Sequence, residues 1–238
     1  MTFWDHLDEL RGVLLKCILA VLLASVVAFC FKDELFSIVF APKQSNLFAS
    51  LFDTGANIRL INTELTRQFI IHMMVSFYAG LLVVMPYIIY QLYGFVLPAL
   101  RQEERRYTTP LILIVYLMFI FGVLFCYFII FPLTFQFLAN YQVDTSVENL
   151  ISLESYIDTL TFLSLALGIA FELPVLSWFL GRLGILHRRY MRYYRRHAFV
   201  IIFITAALIT PTTDAFTLAL VAVPMYLLYE ASILVVKN

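Results

Sequence analysis

A chain of 238 residues that is 62% hydrophobic and only 13% charged, with a mean hydropathy of +0.89, is excluded from the soluble globular class. Charged residues make up about a quarter of such proteins. Sixteen basic and sixteen acidic residues leave no net charge, so bulk electrostatics offers nothing to a nucleic acid, and the argument moves to where the charges sit.

The chain opens on FWDHLDELRGVLL, with Phe3, Leu7, Leu10 and Leu14 spaced on one helical face and Asp5, Asp8 and Glu9 on another. The pattern predicts an interfacial helix running into the first span, its acids turned to the cytosol. Those acids stand where a cleavable signal needs positive charge, so the first span is expected to be retained.

A bilayer core takes roughly 20 apolar residues per helix. Six runs answer to that: residues 13–31, 69–93, 111–133, 160–180, 198–209 and 215–236. The expectation is an all-α integral membrane protein, a single polytopic domain over residues 1–238, with six transmembrane helices of which the fifth and sixth are short. A dozen residues at 1.5 Å each fall short of a core of about 30 Å, so either the bilayer thins locally or ITPTTD sits at membrane depth against protein; the competing reading is a re-entrant hairpin with five or fewer crossings.

With both termini inside, Lys32, Lys43, Arg59 and Arg67 lie outside and the other 12 of the 16 basic residues lie inside or near the inner boundary. That asymmetry predicts an N-in, C-in topology. The outer segments, residues 32–68 and 134–158, carry most of the remaining acids and amphipathic runs such as FKDELFSIVF before Ala41 and Pro42. Short helices capping the outer face are expected there.

Between the second and third runs, YGFVLPALRQEERR concentrates Arg101, Glu103, Glu104, Arg105 and Arg106 in six residues. Pro98 ends the helix before it and Pro110 suits the first turn of the next. Glu103 and Glu104 share the inner face with the N-terminal acids. Carboxylates beside a leaflet that prefers cations make a receptor for a positively charged ligand.

Glu172, in GIAFELPVLSWFL, lies inside an apolar run, where a charge costs about 2.5–3.5 kcal/mol on insertion scales. It therefore faces a partner, water or a substrate path, or stays neutral and bonded to a neighbouring helix. Pro174 predicts a kink beside it. Glu230 is a weaker case, close enough to the inner end of its run to reach the interface. Residues 184–197 form a basic stretch suited to fixing topology and anchoring anionic lipid. His6, His72, His187 and His197 lack ligand spacing, and no catalytic triad or cofactor motif is present. Cys17, Cys30 and Cys126 are odd in number and sit within or beside apolar runs, as packing residues do.

On chemistry alone two roles compete: a receptor working through its inner-face carboxylates, and a proton-coupled secondary transporter using Glu172. A purely structural scaffold is a third. HLDELR at residues 6–11, FVLPALRQEERR at 95–106, FPLTFQFLAN at 131–140, FELP at 171–174 and TPTTD followed by VPMYLLYE occur in an order that resembles the TatC family of the twin-arginine protein translocase. The resemblance implies a non-enzymatic, multi-pass subunit of a bacterial inner membrane that binds signal peptides with consecutive arginines. It also implies homo- and hetero-oligomers with TatA/TatB-type single-span partners, driven by the proton-motive force, with no cofactor. It places the arginine contacts on Glu9 and Glu104, with Arg11, Phe95, Pro98 and Arg105 on the same signal-binding face. Pro42 falls in the outer cap, Glu172 in a concave intramembrane face, and Thr210 and Asp214 in the last outer loop. Leu218 stands where many members carry glutamine.

Overall fold

The computed structural model describes residues 3–44, 60–96, 108–141, 144, 149–210 and 214–236. The chain divides into two compact units, residues 1–39 with 64–117 and residues 40–63 with 118–238.

The first unit is built on an antiparallel helix pair, α1 (Phe3–Cys30) and α3 (Arg67–Val96). On α1, Val13, Cys17 and Val21 recur at every fourth residue and are buried, whereas Leu15, Leu19 and Leu23 are mostly exposed. One stripe packs on protein and the rest presents alkyl groups to lipid. The pair closes where Gly80 meets Ser25: a Cβ on Gly80 would lie 2.5 Å from Ser25 Oγ and 2.7 Å from its backbone nitrogen. Membrane helices lack a hydrophobic drive toward each other, so small residues that admit close backbone approach supply the contact. The Ser25 hydroxyl is satisfied by donating to Val21 O at 2.7 Å. Farther out, Phe29 stacks on His72 with centroids 3.9 Å apart. Helix α2 (Lys32–Gln44) follows α1 directly and carries Asp33 and Glu34 in its first turn, where the helix dipole favours them.

The second unit holds the remaining long helices. α4 (Thr108–Phe125) begins in the first unit, and Pro110 stands in its first turn as the sequence predicts. A π turn over Cys126–Ile130 joins it to α5 (Phe131–Asn140), so the apolar run continues to Asn140 and passes the expected end at residue 133. α6 (Leu153–Ala170) and α7 (Leu173–Arg182) form one run broken at Phe171 and Glu172, with Pro174 in the first turn of α7, as its missing donor requires. Gly122 on α4 and Gly168 on α6 bring these helices into backbone contact: a Cβ on Gly122 would lie 2.8 Å from Leu167 O. α8 (Arg188–Tyr193) and α9 (Arg195–Ile209) lead to α10 (Ala215–Val235), which packs against α7 and α9.

Two expectations need correction. α6 starts at Leu153, not at residue 160: Ser152 caps it by accepting from the Ser155 amide at 3.1 Å, and Glu154 sits in its first turn. Glu154 thus belongs to the first turn of a long helix. The sixth run is not short, since α10 has 21 residues. Beside the helices of this all-α chain, Leu60 and Ile61 (β1) pair in parallel with Ile151 and Ser152 (β2) as a two-residue bridge. Among the described residues, five helices are long and apolar enough to cross a membrane: Leu7–Cys30, Arg67–Phe95, Leu111–Asn140, Leu153–Arg182 and Ala215–Val235. α9, with 15 residues or about 22 Å, is not one of them.

Candidate functional site

The α1/α3 register decides what lies at the N-terminal end of α1. Ser25 opposes Gly80 and Phe29 opposes His72, so partners in this antiparallel pair have numbers that sum to about 101–105. From Ser25 back to Glu9 is 16 residues, and from Gly80 on to Phe95 is 15, a climb of about 22–24 Å on either helix. Glu9 thus stands level with Phe95, the point from which the chain continues into residues 97–107. Pro98, Glu104 and Arg105, like Arg101, Glu103 and Arg106, lie outside the described residues.

Glu9 lies on the covered side of α1. It precedes Val13 by four residues and so continues the packed stripe of α1, and it is itself half-buried. Leu7 and Leu14, on the apolar face expected to meet lipid or protein, are exposed at 40% and 47%, as lipid-facing residues of a span are, and Asp8 is exposed too. Arg11, two residues beyond Glu9 and about 200° round the helix, is exposed. Phe95 is half-buried at the end of α3.

The other candidates are dispersed. Pro42 is buried in the last turn of α2. Glu172 is 9% exposed at the α6/α7 break, and its carboxyl lies within reach of the Phe119 backbone on α4. Its backbone is satisfied, the N–H donating to Ile169 O at 3.0 Å and the carbonyl accepting from the Leu176 amide at 2.8 Å. Phe171 beside it meets Phe121 and Phe125, both at 5.5 Å between centroids. A carboxyl held among rings and glycine-paired helices is a costly feature that packing alone does not reward.

Thr210 and Asp214 end one helix and begin the next. Thr210 closes α9, its amide donating to Ala206 O at 2.9 Å, and is buried. Asp214 caps α10, accepting from the Thr217 amide at 2.7 Å. Both have structural duties that any exchange would disturb, about 0.5–2 kcal/mol for the aspartate cap.

One pair eluded the sequence reading. Arg195 Nη2 donates to Glu230 Oε2 at 2.6 Å, and the Tyr226 hydroxyl donates to Oε1 of the same carboxylate at 3.1 Å. Tyr229 adds a hydrogen bond to Met191 O at 2.8 Å. Together they tie the basic stretch to α10. The only cue was an acid in an apolar run 35 residues after an arginine, and nothing in that spacing reveals a pair. Among the described residues no group of three His, Cys, Asp or Glu side chains could hold a metal ion.

Comparison with known proteins falls on one family throughout. A family model described as Sec-independent protein translocase protein (TatC) matches residues 5–224. A Sec-independent protein translocase protein TatC of Deinococcus radiodurans is 37% identical over 230 residues, covering 97% of this chain and 83% of that protein. The Aquifex aeolicus protein of the same name is 34% identical over 238 residues, covering 100% and 95%. Two crystal structures of the twin-arginine translocase receptor TatC, one of them in DDM, are each 34% identical. They superpose with TM-scores of 0.81 and 0.83 and cover 97% or more of either chain.

Proposed function

The chain belongs to the TatC family of Sec-independent protein translocase proteins, and on that premise we propose that it is the signal-peptide receptor of its translocase. It is a multi-pass membrane protein and a non-enzymatic component of the twin-arginine translocation machinery, acting in a complex with other Tat components. Membership displaces the solute-transporter alternative.

In this reading Glu9 and Glu104 accept the two guanidinium groups of a twin-arginine signal peptide. A carboxylate takes two parallel, charge-assisted hydrogen bonds from the planar guanidinium fork, which an ammonium cannot reproduce. The observation that carries the reading is the α1/α3 register. It sets Glu9 level with Phe95, at the origin of the stretch that holds Glu104. Arg11, Phe95, Pro98 and Arg105 shape the surrounding face. The chain forms a single membrane domain with six crossings, α9 being the thin one, and both termini in the cytoplasm of a bacterium with the machinery in its inner membrane. Pro42 belongs to the outer cap. Glu172, Thr210 and Asp214 serve contact with TatA/TatB-type single-span partners and passage of cargo.

Photocrosslinking tests the receptor role. A photoreactive residue in place of Gln102, with Glu104 kept, is expected to capture a peptide bearing Arg-Arg and to leave its Lys-Lys counterpart largely uncaptured. Equal capture of both would remove the inner-face acids from recognition.

Glu172→Leu tests the second cluster. Replacing a buried carboxylate by an apolar side chain of similar size should raise the thermal stability of the solubilised protein, poorly compensated buried polar groups costing about 1–3 kcal/mol, while cargo export falls. Higher stability with unchanged export would reduce Glu172 to a packing defect.

A further inference from the structure

The connection between α7 and α9 is strongly cationic, and nothing in the receptor reading uses it. Residues 182–197 hold six arginines and no acid. The acid that does meet them, Glu230, is taken by Arg195 and Tyr226. Glu172 and Asp214, the other acids beyond residue 158, stand at the start of α7 and the start of α10, each one helix away from this stretch. Arg189, Arg192 and Arg196 are all exposed. Cations gathered in this way repel one another until an anion comes to them.

The surface is held in place. Met191, in the middle of α8, is 7% exposed and packs with Ile233 and Val236 at the end of α10, and the Tyr229 hydroxyl donates to Met191 O at 2.8 Å. That anchor fixes which way the rest of α8 points. Counting about 100° per residue from Met191, Arg192 and Arg189 fall about 100° and 160° to one side, and Tyr190 and Tyr193 the same angles to the other. Both tyrosines are well exposed, at 60% and 76%. One flank of α8 is therefore cationic and the other aromatic, as in helices that rest between headgroups and acyl chains.

Neighbouring residues set the level. The apolar run Leu153–Arg182 ends where the arginines begin. Leu180 and Ile185 on one side of them, and Phe199, Val200 and Ile201 on the other, are exposed apolar residues whose place is hydrocarbon. Arg182 lies over the ring of Trp178, one turn inside, at 5.5 Å, as a side chain does when its stem is in the bilayer and its head at the boundary. The arginines are thus level with lipid phosphates. A water-borne acidic partner would leave the apolar rim uncovered, and a signal peptide with consecutive arginines is repelled.

We propose that α8 and its flanks dock the headgroups of anionic phospholipids in the leaflet at the Arg182 end of the spans. The guanidinium groups of Arg189 and Arg192, neighbours at a spacing of three on one helical flank, donate to lipid phosphate oxygens, joined by Arg196 beyond the break at Tyr194. Tyr190 and Tyr193 lie against the glycerol and the first acyl methylenes. The surface is independent of signal recognition and of Glu9 and Glu104.

The test uses the full chain, whose two tryptophans are Trp4 and Trp178. With Trp4→Phe in place, Trp178 alone reports the lipid beside the end of α7. The protein is placed in phosphatidylethanolamine nanodiscs containing a small share of phosphatidylglycerol or phosphatidylethanolamine with brominated acyl chains, which quench tryptophan fluorescence. Brominated phosphatidylglycerol should quench Trp178 at the lower mole fraction, and added salt should narrow the difference. Arg192→Gln should lower the preference by up to about fivefold, the worth of one basic side chain at an anionic surface, and adding Arg189→Gln should lower it further. Lysine at both positions should keep most of it, which separates lost charge from lost fold. Equal quenching by the two lipids, or a preference unchanged in the double glutamine variant, would overturn the proposal. So would tight binding of a soluble oligo-glutamate peptide without any lipid preference, which would assign the arginines to a water-borne partner.

Discussion

Glu104→Gln should weaken binding of a twin-arginine signal peptide by roughly thirtyfold or more while the protein still inserts and assembles. Truncating one member of a hydrogen-bonded charge pair costs about 2–5 kcal/mol, and the lower bound suits a site at the membrane surface that water partly reaches. The substitution keeps the shape of the side chain and removes only the charge, so the loss reads the charge-assisted term. Glu9→Gln should have a similar effect, since Glu9 continues the packed stripe of α1 and has less freedom to relocate. The double variant is the sharper measurement. Two carboxylates gripping one Arg-Arg pair act as a unit, so their losses should combine to less than the product of the single ones. The ratio of Arg-Arg to Lys-Lys affinity, read by peptide titration of the solubilised protein, should collapse toward unity in either variant. An unchanged ratio would assign recognition to other groups.

Gly122→Ala is expected to cost about 1–3 kcal/mol, and Gly122→Leu enough to prevent recovery of a monodisperse protein. A Cβ there meets Leu167 O at 2.8 Å, Gly168 Cα at 2.9 Å and Phe171 Cβ at 2.9 Å. Two of those three atoms belong to the backbone of α6, so no rotamer change relieves the clash. The helices must separate, and the break that carries Glu172 moves with them. Gly94→Ala supplies the contrast, because nothing lies within 4 Å of its Cβ and the substitution should be neutral or stabilising by up to about 1 kcal/mol through helix propensity. Thermal unfolding of the solubilised variants, followed by size-exclusion recovery, ranks them. Equal stability of Gly122→Ala and Gly94→Ala would mean that the close approach of α4 and α6 carries no weight.

The apolar runs and the break at Pro174 were legible in the chain itself, because each is a local matter. A long apolar run must satisfy its own backbone in lipid, so it becomes a helix, and its length set against the bilayer decides whether it crosses. Pro174 and Pro110 act on their own helices, and α9 is brief because its apolar run is brief. The motifs that carry the family resemblance are likewise written in order along the chain.

What tertiary structure alone decided is who meets whom. The face on which Glu9 lies, its level with Phe95, the Arg195–Glu230 pair and the Leu60–Ile151 strand pairing all join residues far apart in sequence. Periodicity marks one face of a helix as different from another, but in a bilayer both faces are apolar and the pattern loses its sign. Register is then set by small residues such as Gly80, Gly122 and Gly168 finding a backbone to rest against. A glycine names no partner until the helices have packed.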